Sequence, residues 1–203
     1  MTEDADLQRA VAEDFLALAD LLGGATAAQW DTDSLCAGWR VREVIAHMTM
    51  AARYPDDKFM EELRQYDFDF GRLSNGIADR DGKLPPHELL ASLRAPTLHH
   101  WAPPGGGWHG ALSHVVIHGL DVTVPLAAPR VSPDSTIRIV LDDLTTGGVH
   151  EQFGISIEGR SVQATDLDWS YGTGAPLRGA AGDLVVLLSG RTLPPGRIDG
   201  EPL

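Results

Sequence analysis

Apolar residues recur at helical spacing from the start of the chain. Leu7, Val11, Phe15, Leu18 and Leu22 share one face of the segment 5–22, Glu13, Asp14 and Asp20 fall among its polar positions, and Gly23-Gly24 ends it. A loop with Trp30 and Trp39 leads to a second helical pattern over 41–52, where Val44, Ile45 and Met48 are the apolar positions and Pro55 marks the limit. Residues 56–83 are less regular: Phe59, Leu63 and Tyr66 suggest a helical piece, with turns at Asp67-Phe-Asp-Phe-Gly71 and Asp79-Arg-Asp-Gly-Lys83. Pro85-Pro86 opens a helix over 88–98, Pro103-Pro-Gly-Gly-Gly107 breaks the chain, and 108–124 is the fourth long helical pattern. Four amphipathic helices with short connections predict an α-helical four-helix bundle over 1–128.

The texture changes after Pro133. Residues 136–145 predict one more helix, ended by Gly147-Gly148. Phe153-Gly-Ile-Ser-Ile-Glu158 and Ser161-Val-Gln-Ala-Thr165 alternate apolar with polar, the strand period, and 167–171 reads as another strand. Residues 180–189 are apolar enough for a packed helix, and Arg197-Ile-Asp-Gly200 suits a closing strand. A small C-terminal α+β domain over 129–203, with at least three strands, is therefore expected beside the bundle.

Charge narrows the partners. With 29 acidic against 16 basic residues the formal charge is −13, which repels phosphate backbones and makes nucleic acid a poor partner. No apolar run reaches the ~18–20 residues that cross a bilayer, so no membrane role is expected. The acidic start Met1-Thr-Glu-Asp-Ala-Asp6 lacks a basic signal region, and a cytoplasmic monomer or homodimer acting on small molecules is the expectation. Cys36 is the only cysteine, which excludes an internal disulfide and a thiolate cluster. A metal site made by this chain is expected to use histidine and carboxylate.

The fourth helical pattern carries that chemistry. Ala111, His114, His118 and Asp121 form a single stripe, and the two histidines lie four apart, one above the other on the same face. His47 ends an apolar stretch of the second helix, so a third imidazole is available from another element. Three neutral nitrogens with positions left open opposite them are the usual skeleton of a catalytic metal site. If they act together, their Nε2 atoms should converge on one point ~2.0–2.3 Å from each. The plainer alternative is that these are half-buried histidines making ordinary hydrogen bonds. Asp121, one turn beyond His118, either orients an imidazole through its other nitrogen or faces a substrate.

Other residues carry less. Cys36 reads as a buried, inert thiol with Arg40 and Arg42 as its positive neighbours. Trp39 reads as the anchor of the turn into the second helix. His99 and His100 are adjacent and would point apart on a helix, and His109 lies off the stripe. Arg191 is a candidate for neutralising a carboxylate of a bound small molecule. Gly105-Gly-Gly107 does not follow a strand and makes a poor phosphate loop.

Three runs of sequence bear a resemblance. Trp30-Asp-Thr-Asp-Ser-Leu-Cys-Ala-Gly-Trp-Arg-Val-Arg-Glu-Val-Ile-Ala-His47-Met resembles the N-terminal signature of the mycothiol-dependent maleylpyruvate isomerase family, a branch of the DinB-like four-helix metalloproteins. His114-Val-Val-Ile-His118-Gly-Leu-Asp121-Val-Thr-Val-Pro-Leu looks like its second metal motif, and 179–191 with Ile198-Asp-Gly is similar to its small C-terminal domain.

The resemblance implies a DinB-like bundle holding one divalent metal, zinc first with nickel or iron as alternatives, on His47, His114 and His118. It also implies mycothiol as thiol cosubstrate, bound as thiolate for S-transfer to, or isomerisation of, a small electrophile. From their own positions and chemistry, Asp121 is expected to be catalytic and Arg191 to bind the thiol cofactor. One departure stands out: maleylpyruvate isomerases of this family carry an acidic residue where this chain has His114, so the ligand set here would be neutral. A rival from another class is a non-catalytic DinB-like stress protein that binds a metal or ligand.

Overall fold

The structure is a computed structural model, and it describes residues 2–201. It is mostly helical, with a small mixed four-stranded sheet. The chain divides into two compact units, Met1–Val131 and Ser132–Leu203.

The first unit runs α1 (Thr2–Leu22), α2 (Ala27–Trp30), α3 (Val41–Met48), α4 (Met50–Arg53), α5 (Asp56–Gln65), α6 (Phe70–Asp81), α7 (Pro86–Leu93), a one-turn 3-10 segment (Leu98–His100) and α8 (Gly107–Thr123). The apolar stripe of α1 is the face it buries: Leu7, Val11, Phe15, Leu18 and Leu22 are each at most 4% exposed. α1 packs on α7 and α8, and α3 packs on α6, α7 and α8. Ala111, Leu112, Val115, Val116, Leu120 and Val122 of α8 are buried, so apolar packing grips the helix that carries the histidine pair.

Three details depart from the sequence pattern. The second helix is not continuous over 41–52. It stops at Met48, because Thr49 leaves helical geometry (φ −103, ψ 13) while its hydroxyl donates back to Ile45 O at 2.6 Å, and a short α4 restarts after it. The third helix ends at Leu93 rather than Leu98, with Arg94 capping it ahead of Pro96. Between 56 and 83 two helices form instead of one, joined by a turn in which Asp67 and Phe68 take left-handed backbone (φ 56 and 62). That pair is held by Phe68 N donating to Leu63 O at 2.9 Å and by the Asp69 carboxylate accepting from Arg72 N at 3.0 Å. The anticipated turn at Asp79–Lys83 begins only after Asp81.

The second unit contains α9 (Asp134–Thr145), a 3-10 segment (Val149–Phe153), β1 (Arg160–Ala164), β2 (Ser170–Gly172), β3 (Ala175–Gly179), α10 (Ala181–Leu188) and β4 (Ile198–Gly200). The strand order is β2-β1-β3-β4, with β1 and β3 parallel and the other neighbours antiparallel. α10 packs on α9 and against β1 and β3. The strand expected at Phe153–Glu158 does not form. Its residues straddle the end of the 3-10 segment, where Gly154 is left-handed (φ 73) and Ile155 N donates back to His150 O at 3.2 Å.

The sheet owes its order to two glycines. β2 and β3 flank β1, so the chain must pass around the start of β1 with only Thr173 and Gly174 between the strands. Two strand spacings are ~9.5 Å, close to the full reach of three extended residues, so the crossing hugs the β1 backbone. A Cβ on Gly172 would lie 2.4 Å from Arg160 O, and one on Gly174, at φ +128, would lie 2.0 Å from Gly159 O. Gly174→Ala is expected to destabilise the second unit by about 1–3 kcal/mol or more, from backbone strain and a clash with a carbonyl that has no side-chain freedom. Urea unfolding of the second unit, followed by amide hydrogen exchange of β1 and β3, would measure it, and an unchanged midpoint would refute this account of the crossing.

Among the described residues, no helix is long and apolar enough to cross a membrane.

Candidate functional site

His47 reaches the site because the Trp-containing loop and α3 are fastened at several points. At the start of α3, Glu43 accepts from Arg40 N at 2.8 Å and pairs with the Arg40 guanidinium at 2.6 Å. Burial works to raise the Glu43 carboxyl, but the hydrogen bonds and charge of Arg40 outweigh it and hold the group below its ordinary value. The Trp39 ring lies 5.0 Å from the His47 ring, and its Nε1–H donates to Asn75 Oδ1 of α6 at 3.1 Å. His47 itself is 8% exposed.

On α8, one turn apart, His114 and His118 have ring centroids separated by 4.8 Å. The His47 ring sits 5.3 Å from the first and 4.9 Å from the second. One ring nitrogen from each of the three falls within 4.8 Å of the others, and His47 Nε2 faces His114 Nε2 at 3.4 Å. Trp101 packs edge-on to His114, with centroids 5.9 Å apart. The imidazoles therefore gather at one place rather than pointing into separate apolar pockets.

Asp121 orients the His118 ring. Its carboxylate Oδ2 lies 2.9 Å from His118 Nδ1, a contact that favours the tautomer with the proton on Nδ1 and the lone pair on Nε2. The Asp121 side chain is fully buried, which suits an orienting role better than contact with a substrate.

Cys36 is less buried than its sequence context suggests, and it has partners on α8. It is half-buried, its Sγ donates to Asp121 Oδ2 at 3.0 Å, and it sits 3.8 Å from His118 Nδ1. The 30–40 loop is stitched to α8 by Leu35 N donating to Asp121 O at 3.1 Å, while Ser34 Oγ accepts from Cys36 N at 3.1 Å. Cys36 and Asp121 are far apart along the chain, so spacing could not reveal the pair.

His109 is exposed on the first turn of α8, and His99 and His100 close the 3-10 segment, where the His100 ring meets the Gln8 amide. Arg191 belongs to the second unit. Its guanidinium stacks over Phe153 at 5.7 Å and donates to Ser189 O at 2.6 Å.

Residues 11–102 match the family model described as the mycothiol maleylpyruvate isomerase N-terminal domain. Just under half of the chain is thus similar to that domain. The matched segment includes His47, Cys36 and the whole Trp39 loop, and it ends before α8. Two solved structures have the same fold. One is the crystal structure of a mycothiol-dependent maleylpyruvate isomerase, with TM-score 0.60 and 16% identity over 98% of this chain and 92% of that one. The other is a histidine-to-alanine mutant of a mycothiol-dependent maleylpyruvate isomerase, with TM-score 0.58 at the same identity and coverage. No curated protein sequence matches the chain. The isomerase-type fold thus extends over both units, while the family match in sequence is confined to the first.

Proposed function

We propose that the chain is a metal-dependent enzyme of the mycothiol-dependent maleylpyruvate isomerase type, transferring a low-molecular-weight thiol to a small electrophile or isomerising it through such an adduct. The observation that carries this reading is the convergence of His47, His114 and His118 with His118 oriented by a buried carboxylate. The packing of α1, α3, α7 and α8 supports a DinB-like four-helix bundle as the scaffold, with a domain boundary close to residue 128.

The donor set suits a divalent cation. Nitrogens bound at ~2.0–2.1 Å to a tetrahedral zinc lie about 3.3 Å apart, and His47 Nε2 and His114 Nε2 are 3.4 Å apart. Imidazole suits zinc, nickel and iron alike, with zinc the first choice for a non-redox addition. When bound, the cation would supply a Lewis acid that keeps a thiol sulfur, ordinarily protonated below ~8.5, as thiolate at neutral pH.

The chain's own residues do the rest. Asp121 holds the Nδ1 proton of His118 and so keeps Nε2 turned to the site. Trp39 and Trp101 pack on His47 and His114, limiting ring rotation and water at those faces. Arg191 is assigned to a carboxylate of the thiol or substrate on sequence grounds. The non-catalytic alternative draws no support from the family match.

The test is elemental analysis of untagged protein together with consumption of mycothiol in the presence of maleylpyruvate and related electrophiles. About one divalent ion per chain and thiol-dependent turnover are expected, with both reduced ~10–100-fold in Asp121→Ala, the usual cost of losing a ligand's supporting partner. Metal-free protein that turns over at the same rate as loaded protein would overturn the proposal.

A further inference from the structure

Three different donor types meet at the Nδ1 edge of the His118 ring. Cys36 Sγ lies 3.0 Å from Asp121 Oδ2, Asp121 Oδ2 lies 2.9 Å from His118 Nδ1, and Sγ lies 3.8 Å from Nδ1. Sulfur, oxygen and nitrogen bound to one tetrahedral ion at ~2.0–2.3 Å sit roughly 3.3–3.6 Å from one another. The triangle differs from that by a few tenths of an ångström, and its two short edges are hydrogen bonds that an ion would replace.

We propose that Cys36, Asp121 and His118 form a second cation seat, selective for thiophilic divalent ions, which competes with the three-histidine site for His118. A thiolate beside imidazole and one carboxylate favours soft cations and disfavours magnesium and calcium, which take oxygen sets. No hinge is needed to assemble it. Ser34 fixes the Cys36 amide, the Leu35 amide is bonded to Asp121 O, and both other ligands project from the same turn of α8. Half-buried Cys36 is the side of entry, since the Asp121 carboxylate is fully buried and His118 is 12% exposed.

The exchange of protons explains the competition. On binding, the S–H bond of Cys36 breaks, its proton leaves to solvent and the sulfur lone pair binds the ion. The Nδ1 proton of His118 is given up and a proton is taken at Nε2, which frees the Nδ1 lone pair. Asp121 Oδ2 exchanges two hydrogen-bond donors for one cation. One proton is released per divalent ion, and nothing is oxidised or reduced. With Nε2 protonated, His118 has no lone pair left for the three-histidine site, so one neutral imidazole serves one seat at a time.

This inference stands on the geometry of the three residues and does not require the thiol chemistry proposed above. The test is a titration of metal-stripped, full-length protein with cadmium chloride in thiol-free buffer, read as the ultraviolet thiolate-to-cadmium charge-transfer band. Cys36 is the sole cysteine, so the band reports one residue. The band should saturate at one cadmium per chain in the wild type, persist in His47→Ala, and vanish in Cys36→Ser. In Asp121→Asn the affinity should fall about 10-fold or more, and His118→Gln gives the same readout should the asparagine variant not fold.

Absence of the band in folded wild-type protein overturns the seat. So does cadmium binding in both Asp121→Asn and His118→Gln as tight as in the wild type, which would mark an isolated thiol. Loss of the band in His47→Ala would show that the two sites are one. Failure of the three-histidine reading would instead appear as protein that holds no ion dependent on His47 yet still gives the band.

Discussion

Replacing His118 with alanine is expected to abolish metal retention without unfolding the chain. The substitution removes the one imidazole that neighbours both His47 and His114 and is itself held by Asp121. Two nitrogens would remain, and their hold on an ion should fall by more than the ~10–100-fold that loss of a supporting partner costs. Stability should suffer far less. Asp121 keeps the Cys36 donor after losing the histidine, so the cost is that of one impaired buried hydrogen bond, about 1–3 kcal/mol. The apolar face of α8 is untouched. Equilibrium dialysis against a chelator of known affinity would give the first quantity and thermal melting by circular dichroism the second. A variant that keeps a full equivalent of metal would sink the three-histidine site.

His114→Glu is expected to separate holding a metal from activating a thiol. Glutamate can still ligate, and it gives this position the acidic character that the resemblance associates with maleylpyruvate isomerases. The added negative charge sits one ligand away from the sulfur that would carry the thiolate. Unit charges ~4 Å apart at an effective dielectric of ~20 interact by about 4 kcal/mol. Even a third of that is roughly one pKa unit, so the pKa of bound thiol should rise by about one unit or more while metal content is retained. Titration of the bound thiol by its ultraviolet absorbance would report it. Unchanged metal content together with an unchanged thiol pKa would mean that His114 is not a ligand.

How much of this could be read from the sequence depended on how local each signal was. α1 was legible because five large apolar residues repeat on one face, and all five prove buried. The stripe of α8 was legible for the same reason, since spacing alone places His114 above His118 and Asp121 one turn on. The end of α3 was not: Thr49 satisfies its hydroxyl on the preceding turn and stops a pattern that apolar spacing would have continued. β3 offers only Leu177 as a large apolar residue, beside Pro176, and gains its place from parallel pairing with β1. Phe153–Glu158 alternates correctly, yet left-handed glycines on both sides of the 3-10 segment bend the chain out of extension. The bond from Cys36 to Asp121 was not legible because it is a tertiary contact that the immediate neighbours of Cys36 do not encode.

Two of the three clustered imidazoles come from one turn of α8, and the third comes from α3, 67 residues earlier than His114. A peptide copy of α8 would possess a pair of nitrogens and no site. Closing that long loop is work done by the folded first unit, so an ion that binds only the closed arrangement also stabilises it, by about 2.7 kcal/mol when present at 100 times its dissociation constant. Occupancy and folding then become one linked equilibrium. A substitution in the seam between α1 and α8, touching no histidine, will register as a weaker grip on the ion.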